Sequence, residues 1–164
     1  MLQHFRLDSS RKGIHLLTRQ GFINAVAELS QDEIESLAFA RGRQSPFDAA
    51  DIRLRVAKPA KPAAGWVHFD IHVDSSDLLL EKQGERFRGE LSVMVALYYE
   101  GFLKGALPPS SVDIDLTQAE LDAVSRDGIL ISRDVSITND IQKARVLVYD
   151  RNLDALGSVT IPIN

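Results

Sequence analysis

The sequence predicts a mainly β fold, an immunoglobulin- or fibronectin-like antiparallel β-sandwich carrying one or two short helices, with a closed barrel as the alternative architecture. Three observations point there. Apolar and polar residues alternate with a period of two along most of the chain, as in sheets packed on one side only. Clusters of Gly, Pro, Asn, Asp and Ser separate the alternating runs. Only two stretches carry helix-start signals.

Taken in order, Phe5/Leu7 and Ile14/Leu16 suggest a first strand pair, turning through Ser9 to Gly13. Ser30-Gln31-Asp32-Glu33 fits a capping box, with Ile34, Leu37 and Ala38 on one helix face and Gly42 expected to end the helix in a left-handed conformation. Ile52, Leu54 and Val56 alternate with charged residues. Lys58 to Gly65 is a Pro/Ala loop, and proline cannot donate to a sheet ladder. We read it as a loop inside a single domain spanning 1–164 rather than as a linker. Val67, Phe69, Ile71 and Val73 alternate with His68, Asp70, His72 and Asp74. The run Leu91 to Tyr99 is apolar on both faces, which predicts a central strand. Val112, Ile114 and Leu116 form the next strand. Thr117-Gln118-Ala119-Glu120 repeats the capping box, with Gly128 closing the helix. Both helices are expected to link strands. Ile129, Ile131, Val135 and Ile137 share a face that Arg133 interrupts. Lys143–Tyr149 and Leu156–Ile163 form a last pair around Asp150 to Asp154.

Composition narrows the function. The 164 residues are 45% hydrophobic and 26% charged, enough to bury a sizeable core. The absence of cysteine excludes disulfides, a thiolate zinc site and a cysteine nucleophile. Residues 1–65 hold ten Lys/Arg against seven Asp/Glu, whereas residues 66–164 hold nine against sixteen. An acidic whole, net −4, with dispersed basic residues argues against a nucleic-acid surface. No apolar run approaches the roughly 20 residues of a membrane span, so no membrane insertion is expected. Met1 to Arg6 carries no apolar stretch like a signal peptide.

The most suggestive chemistry lies in His68-Phe69-Asp70-Ile71-His72-Val73-Asp74. Imidazole and carboxylate are metal ligands, and a strand offers them at i and i+2. At about 3.3 Å per residue, His68 and His72 stand roughly 13 Å apart and cannot share one ion. A site would need Asp70 and His72, or His68 and Asp70, with help from a neighbouring strand. The acidic loops are the second candidate, because calcium takes six to eight oxygens. Asp74 and Asp77, Asn139-Asp140, and Asp150 with Asp154 supply such oxygens at strand ends. The candidate ligands are therefore Asp70, His72, Asp74, Asp77, Asp150 and Asp154. Against this, solvated strands and turns use the same residues for local hydrogen bonds, and no resident metal is expected. No EF-hand spacing, G-x-S-x-G elbow or P-loop occurs. Paired carboxylates such as Asp113/Asp115 read as a solvated face, and no enzyme is expected. Trp66, Tyr98, Tyr99 and Phe102 suggest an aromatic platform for sugar or peptide, with a core role favoured for most of them.

Several segments together resemble a known family. His4-Phe5-Arg6-Leu7 and Gly13 to Phe22 resemble its opening strand pair. The helix from Ser30, then Gln44-Ser45-Pro46-Phe47 and Ile52 to Val56, resembles the stretch that follows. Ala144 to Asp150 and Gly157 to Ile163 resemble its ending. This order resembles the C-terminal β-sandwich region of von Willebrand factor A-related proteins of Acidobacteria and relatives. The resemblance implies a bacterial protein, secreted or in the cell envelope, in which this region follows an A domain. It implies no reaction. The D-x-S-x-S metal motif of such A domains is absent, so no ligand set carries over. The sequence thus predicts a non-catalytic accessory or protein-interaction module. A calcium- or carbohydrate-binding sandwich is the alternative.

Overall fold

The computed structural model describes residues 29–61 and 63–163. The chain divides into two compact units, Met1–Ser30 and Gln31–Asn164. The strand pair expected from Phe5 to Leu16 lies outside the described residues. The second unit is mainly β, with two helices and two antiparallel sheets.

The helices are α1 (Gln31–Gln44) and α2 (Gln118–Asp127). The smaller sheet has the order β1 (Leu54–Val56), β2 (Trp66–Val73), β7 (Ile129–Ser136). The larger is built on β4 (Arg86–Tyr99), whose length lets each edge take two partners. One edge pairs with β6 (Ser110–Thr117) and then with β5 (Phe102–Ala106). The other pairs with β3 (Glu81–Gln83) and then with β8 (Lys143–Asp150), which in turn carries β9 (Ala155–Pro162). The Pro/Ala loop joins β1 to β2, and Ala60 still bridges to His68.

The two sheets share one core. Val67, Phe69, Ile71 and Val73 of β2 meet Leu91, Val93 and Val95 of β4 and Val146 and Val148 of β8. The opposite face of β4 and β8 supplies a second cluster. Phe39 of α1 packs there with Met94, Ala96, Leu147 and Tyr149. This explains why β4 reads as apolar on both sides: one face meets a sheet and the other a helix.

Helix α1 leads into β1 and covers the outer face of the larger sheet, while the strand expected before it lies outside the described residues. Two arginines fasten it. At its start, Arg151 contacts Asp32 at 2.6 Å, nearly buried Glu35 at 3.2 Å and Glu90 at 3.1 Å. At its end, Arg145 donates to the carbonyls of Gly42 and Ser45, each at 2.7 Å. Acidic residues at the N-terminus and a cation at the last carbonyls both suit the helix dipole. The assignment of Gly42 as a helix terminator is corrected. Gly42 lies inside α1, and a Cβ there would stand 2.6 Å from Leu147 Cδ2 and 2.8 Å from Leu156 Cδ2. Its role is close approach of helix to sheet. The second capping box forms as read, with Thr117 Oγ1 accepting from the Glu120 amide and Glu120 accepting from the Thr117 amide. Helix α2 links β6 to β7. Among the described residues no helix is long and apolar enough to cross a membrane.

Candidate functional site on the open sheet face

The larger sheet is packed on both faces, whereas among the described residues no element packs on the outer face of the smaller one. Register decides which residues share that face. Trp66, His68, Asp70 and His72 of β2 stand opposite Ser136, Asp134, Ser132 and Leu130 of β7. Pairing with β1 adds Arg55 opposite His72. The inward residues of β2 are all buried and these outward ones are not.

At the centre the side chains form a connected array. His68 Nδ1 lies 2.7 Å from Asp134 Oδ1, and His68 Nε2 lies 3.1 Å from Asp70 Oδ1. Ser132 Oγ donates to the same Asp70 oxygen at 2.7 Å. The imidazole is thus held from both nitrogens by carboxylates on opposite sides. Those carboxylates raise the His68 pKa above its ordinary 6.5, the hydrogen bond to Asp134 contributing most and that to Asp70 next. Asp70 is lowered, chiefly by the Ser132 hydrogen bond. A raised histidine contributes stability fully below about pH 6.5, and loses it as pH rises through the raised value. We expect an NMR titration of His68 with a midpoint above 6.5, moving down in Asp134→Asn. A wild-type midpoint at or below that value would contradict the array.

The candidate ligands separate. Asp70 belongs to the array. His72 Nδ1 instead lies 3.2 Å from the Asp127 carbonyl at the end of α2. Asp74 falls beyond β2 and leaves the row of outward residues that the alternation assigned to it. Its Oδ1 accepts from the Ser76 amide and hydroxyl, and its Oδ2 pairs with Arg53 at 3.0 Å. Asp77 accepts from Arg53 Nε at 2.8 Å and from the Arg53 amide at 2.9 Å. Both carboxyls are held low, Asp74 first by Ser76 and Asp77 first by Arg53. Asp150 is buried and accepts from the amides of Leu79, Asn152 and Leu153. Asp154 accepts from the Tyr149 hydroxyl at 2.6 Å. Asp140 accepts from the Thr138 hydroxyl. These loops use their oxygens on local donors, as turn chemistry does. Among the described residues no three His, Asp or Glu side chains form a group able to hold a metal. In the array itself the carboxylates flank opposite ring nitrogens, so they do not converge on one point. Asp115 pairs with Arg86 at 2.5 Å and with Arg88 at 3.5 Å.

The aromatic residues also divide. Tyr98 packs against the α1 cluster, as a core role requires. Trp66 and Phe102 are 46% and 75% exposed, which corrects the favoured core role for those two. Trp66 starts β2 on the outer face, and Phe102 follows the tight turn at Glu100-Gly101. Sequence reading missed Asp134, Ser132 and Leu130 as members of the open face. Only the β2–β7 register brings them there, across about 60 residues of chain.

Comparisons with known proteins name no family. No family model matches the chain, and no curated protein matches it. Among solved structures, a hypothetical protein from Pyrococcus horikoshii is similar over 73% of this chain and 93% of its own, at 11% identity and TM-score 0.40. The superoxide reductase (neelaredoxin) of Archaeoglobus fulgidus is similar over 69% of this chain and 88% of its own, at 13% identity and TM-score 0.35. That of Ignicoccus hospitalis is similar over 76% and 90%, at 10% identity and TM-score 0.34.

Proposed function

We propose that this chain is a non-catalytic accessory module that binds a protein partner through the outer face of its smaller sheet. The observation that supports the reading is the composition of that face. A fixed His–Asp–Ser array occupies the centre, and exposed Trp66 and Leu130 stand toward opposite ends. Tryptophan is the side chain most enriched among interface anchors. Pre-paired polar groups fix orientation with little entropy left to lose on binding. Two facing antiparallel sheets with a common core also support the immunoglobulin- or fibronectin-like reading, which we retain within the proposal. An accessory place after a von Willebrand factor A-type domain, in a secreted or envelope protein, follows from the sequence resemblance.

A photo-crosslinking amino acid in place of Trp66 or Leu130, introduced in cells, tests this. We expect one polypeptide adduct of the same mass from both positions, and none from Ala119 on exposed α2. Adducts from all three alike, or from none, overturn the reading. A glycan adduct at position 66 overturns it in favour of a carbohydrate-binding face, which the exposed indole beside His68 and Asp134 also fits.

A further inference from the structure

On the far side of β7 from the open face, the two sheets part. The gap follows from strand pairing along one edge of β4. β6 covers Arg86–Val93 and β5 covers Ala96–Tyr99. Between them the connection through Leu107 bonds to β4 by the Leu107 amide, which donates to the Val95 carbonyl at 2.9 Å. Here a cleft of about 220 Å³ opens, lined by Val93, Val95, Leu107, Pro108, Val135 and Arg133, with Ser110 and Asp134 at its margin.

Arg133 is out of place by sequence. It occupies a core-facing position of β7 between Ile131 and Val135, both buried. Among the described residues its guanidinium meets only neutral oxygens. Nε donates to Ser110 Oγ at 3.2 Å, and Nη1 donates to the Ser132 carbonyl at 2.8 Å. Neither bond is to a carboxylate. Asp134 borders the same cleft, but its carboxylate is bonded to His68 on the opposite face. A guanidinium carries five N–H donors, and these two bonds use two of them. A half-buried cation without a counter-charge is unfavourable, and a carboxylate is the anion its planar fork fits best.

We propose that this cleft binds a small aliphatic monocarboxylate, with its chain against Val93, Val95, Leu107 and Val135 and its carboxylate on Arg133. The walls are branched aliphatic side chains without an aromatic ring, which suits an alkyl chain. The volume lies below the roughly 300 Å³ at which drug-sized ligand pockets begin, which limits the chain to a short one. The site is independent of the open face, since Arg133 and His68 belong to opposite sides of the smaller sheet.

The test is NMR titration of the whole protein with sodium hexanoate, hexan-1-ol and sodium acetate. Saturable shifts at Val93, Val95, Leu107 and Val135 are expected with hexanoate. Acetate lacks the chain and hexanol lacks the charge, so each should bind at least about tenfold more weakly. Arg133→Gln, whose amide can still donate to Ser110, should weaken hexanoate about tenfold while leaving the amide spectrum otherwise unchanged. If that variant fails to fold, the hexanoate–hexanol comparison on the wild type still decides. Absence of saturable shifts with hexanoate, or equal binding of hexanol, overturns the proposal.

Discussion

Replacing Gly157 by alanine is expected to lower the thermal midpoint by roughly 6–12 °C, corresponding to about 3 kcal/mol or somewhat more. The reason is contact with backbone. Gly157 lies on β9 where the segment before β1 crosses it, bridging to Ala50. The neighbouring Ser158 amide donates to the Ala49 carbonyl at 2.9 Å. A Cβ on Gly157 would stand 2.2 Å from the Ile52 carbonyl oxygen and 2.8 Å from Ile52 Cβ. Ile52 is buried in the inter-sheet core, so the segment cannot simply lift away. Gly101→Ala serves as the comparison. Gly101 has φ +82 and open space around it, so alanine there costs only local backbone strain, about 1 kcal/mol. Thermal unfolding of both variants decides the matter. Equal midpoints would mean that the crossing relaxes without cost.

The second large effect belongs to Arg145. Its side chain is 8% exposed and pairs with Asp48 at 3.1 Å. It also donates to Thr160 Oγ1 and to two carbonyls at the end of α1, and it lies over the Tyr98 ring. Removing it leaves those carbonyls and the Asp48 carboxylate without their cation. Arg145→Ala should cost about 3 kcal/mol. The loss is expected to concentrate in α1: hydrogen exchange should accelerate there far more than in β2 or β7. Uniform acceleration would show that the helix is not fastened at this point. Burial pushes the Asp48 carboxyl up, but bonds from Thr160 and Ser158 and the Arg145 charge outweigh it and hold it below 3.8. A lowered carboxyl stabilises above its ordinary value and loses that contribution as pH falls through the lowered one. The α1 anchor should therefore loosen only below about pH 4.

Both effects depend on contacts far apart in sequence, as does the candidate site. Asp48 and Arg145, or Gly157 and Ile52, give no signal in a linear reading. Nothing in the spacing of charged residues selects these partners. The same holds for His68, Asp70, Ser132 and Asp134. Period-two alternation places His68 and Asp70 on one face, but it cannot say which strand lies alongside.

The sequence by itself determined what depends on neighbours along the chain. Alternation in β2 marked its buried face residue by residue, because successive side chains point to opposite sides of a strand. The doubly apolar run of β4 marked a central strand. Thr117 and Glu120 marked the start of α2, because a capping box closes over three residues. Tertiary structure decided the rest. It placed α1 against the outer face of the larger sheet, because Gly42 lets helix and sheet approach. It gave Asp74 and Asp77 to Arg53 rather than to a shared ion. It set Arg133 at an opening between the sheets, where a cation on a core-facing position can keep its charge near solvent. The physical reason is the range of each interaction. Steric alternation and capping act within a few residues, whereas register, close approach and charge pairing are settled only when distant strands meet.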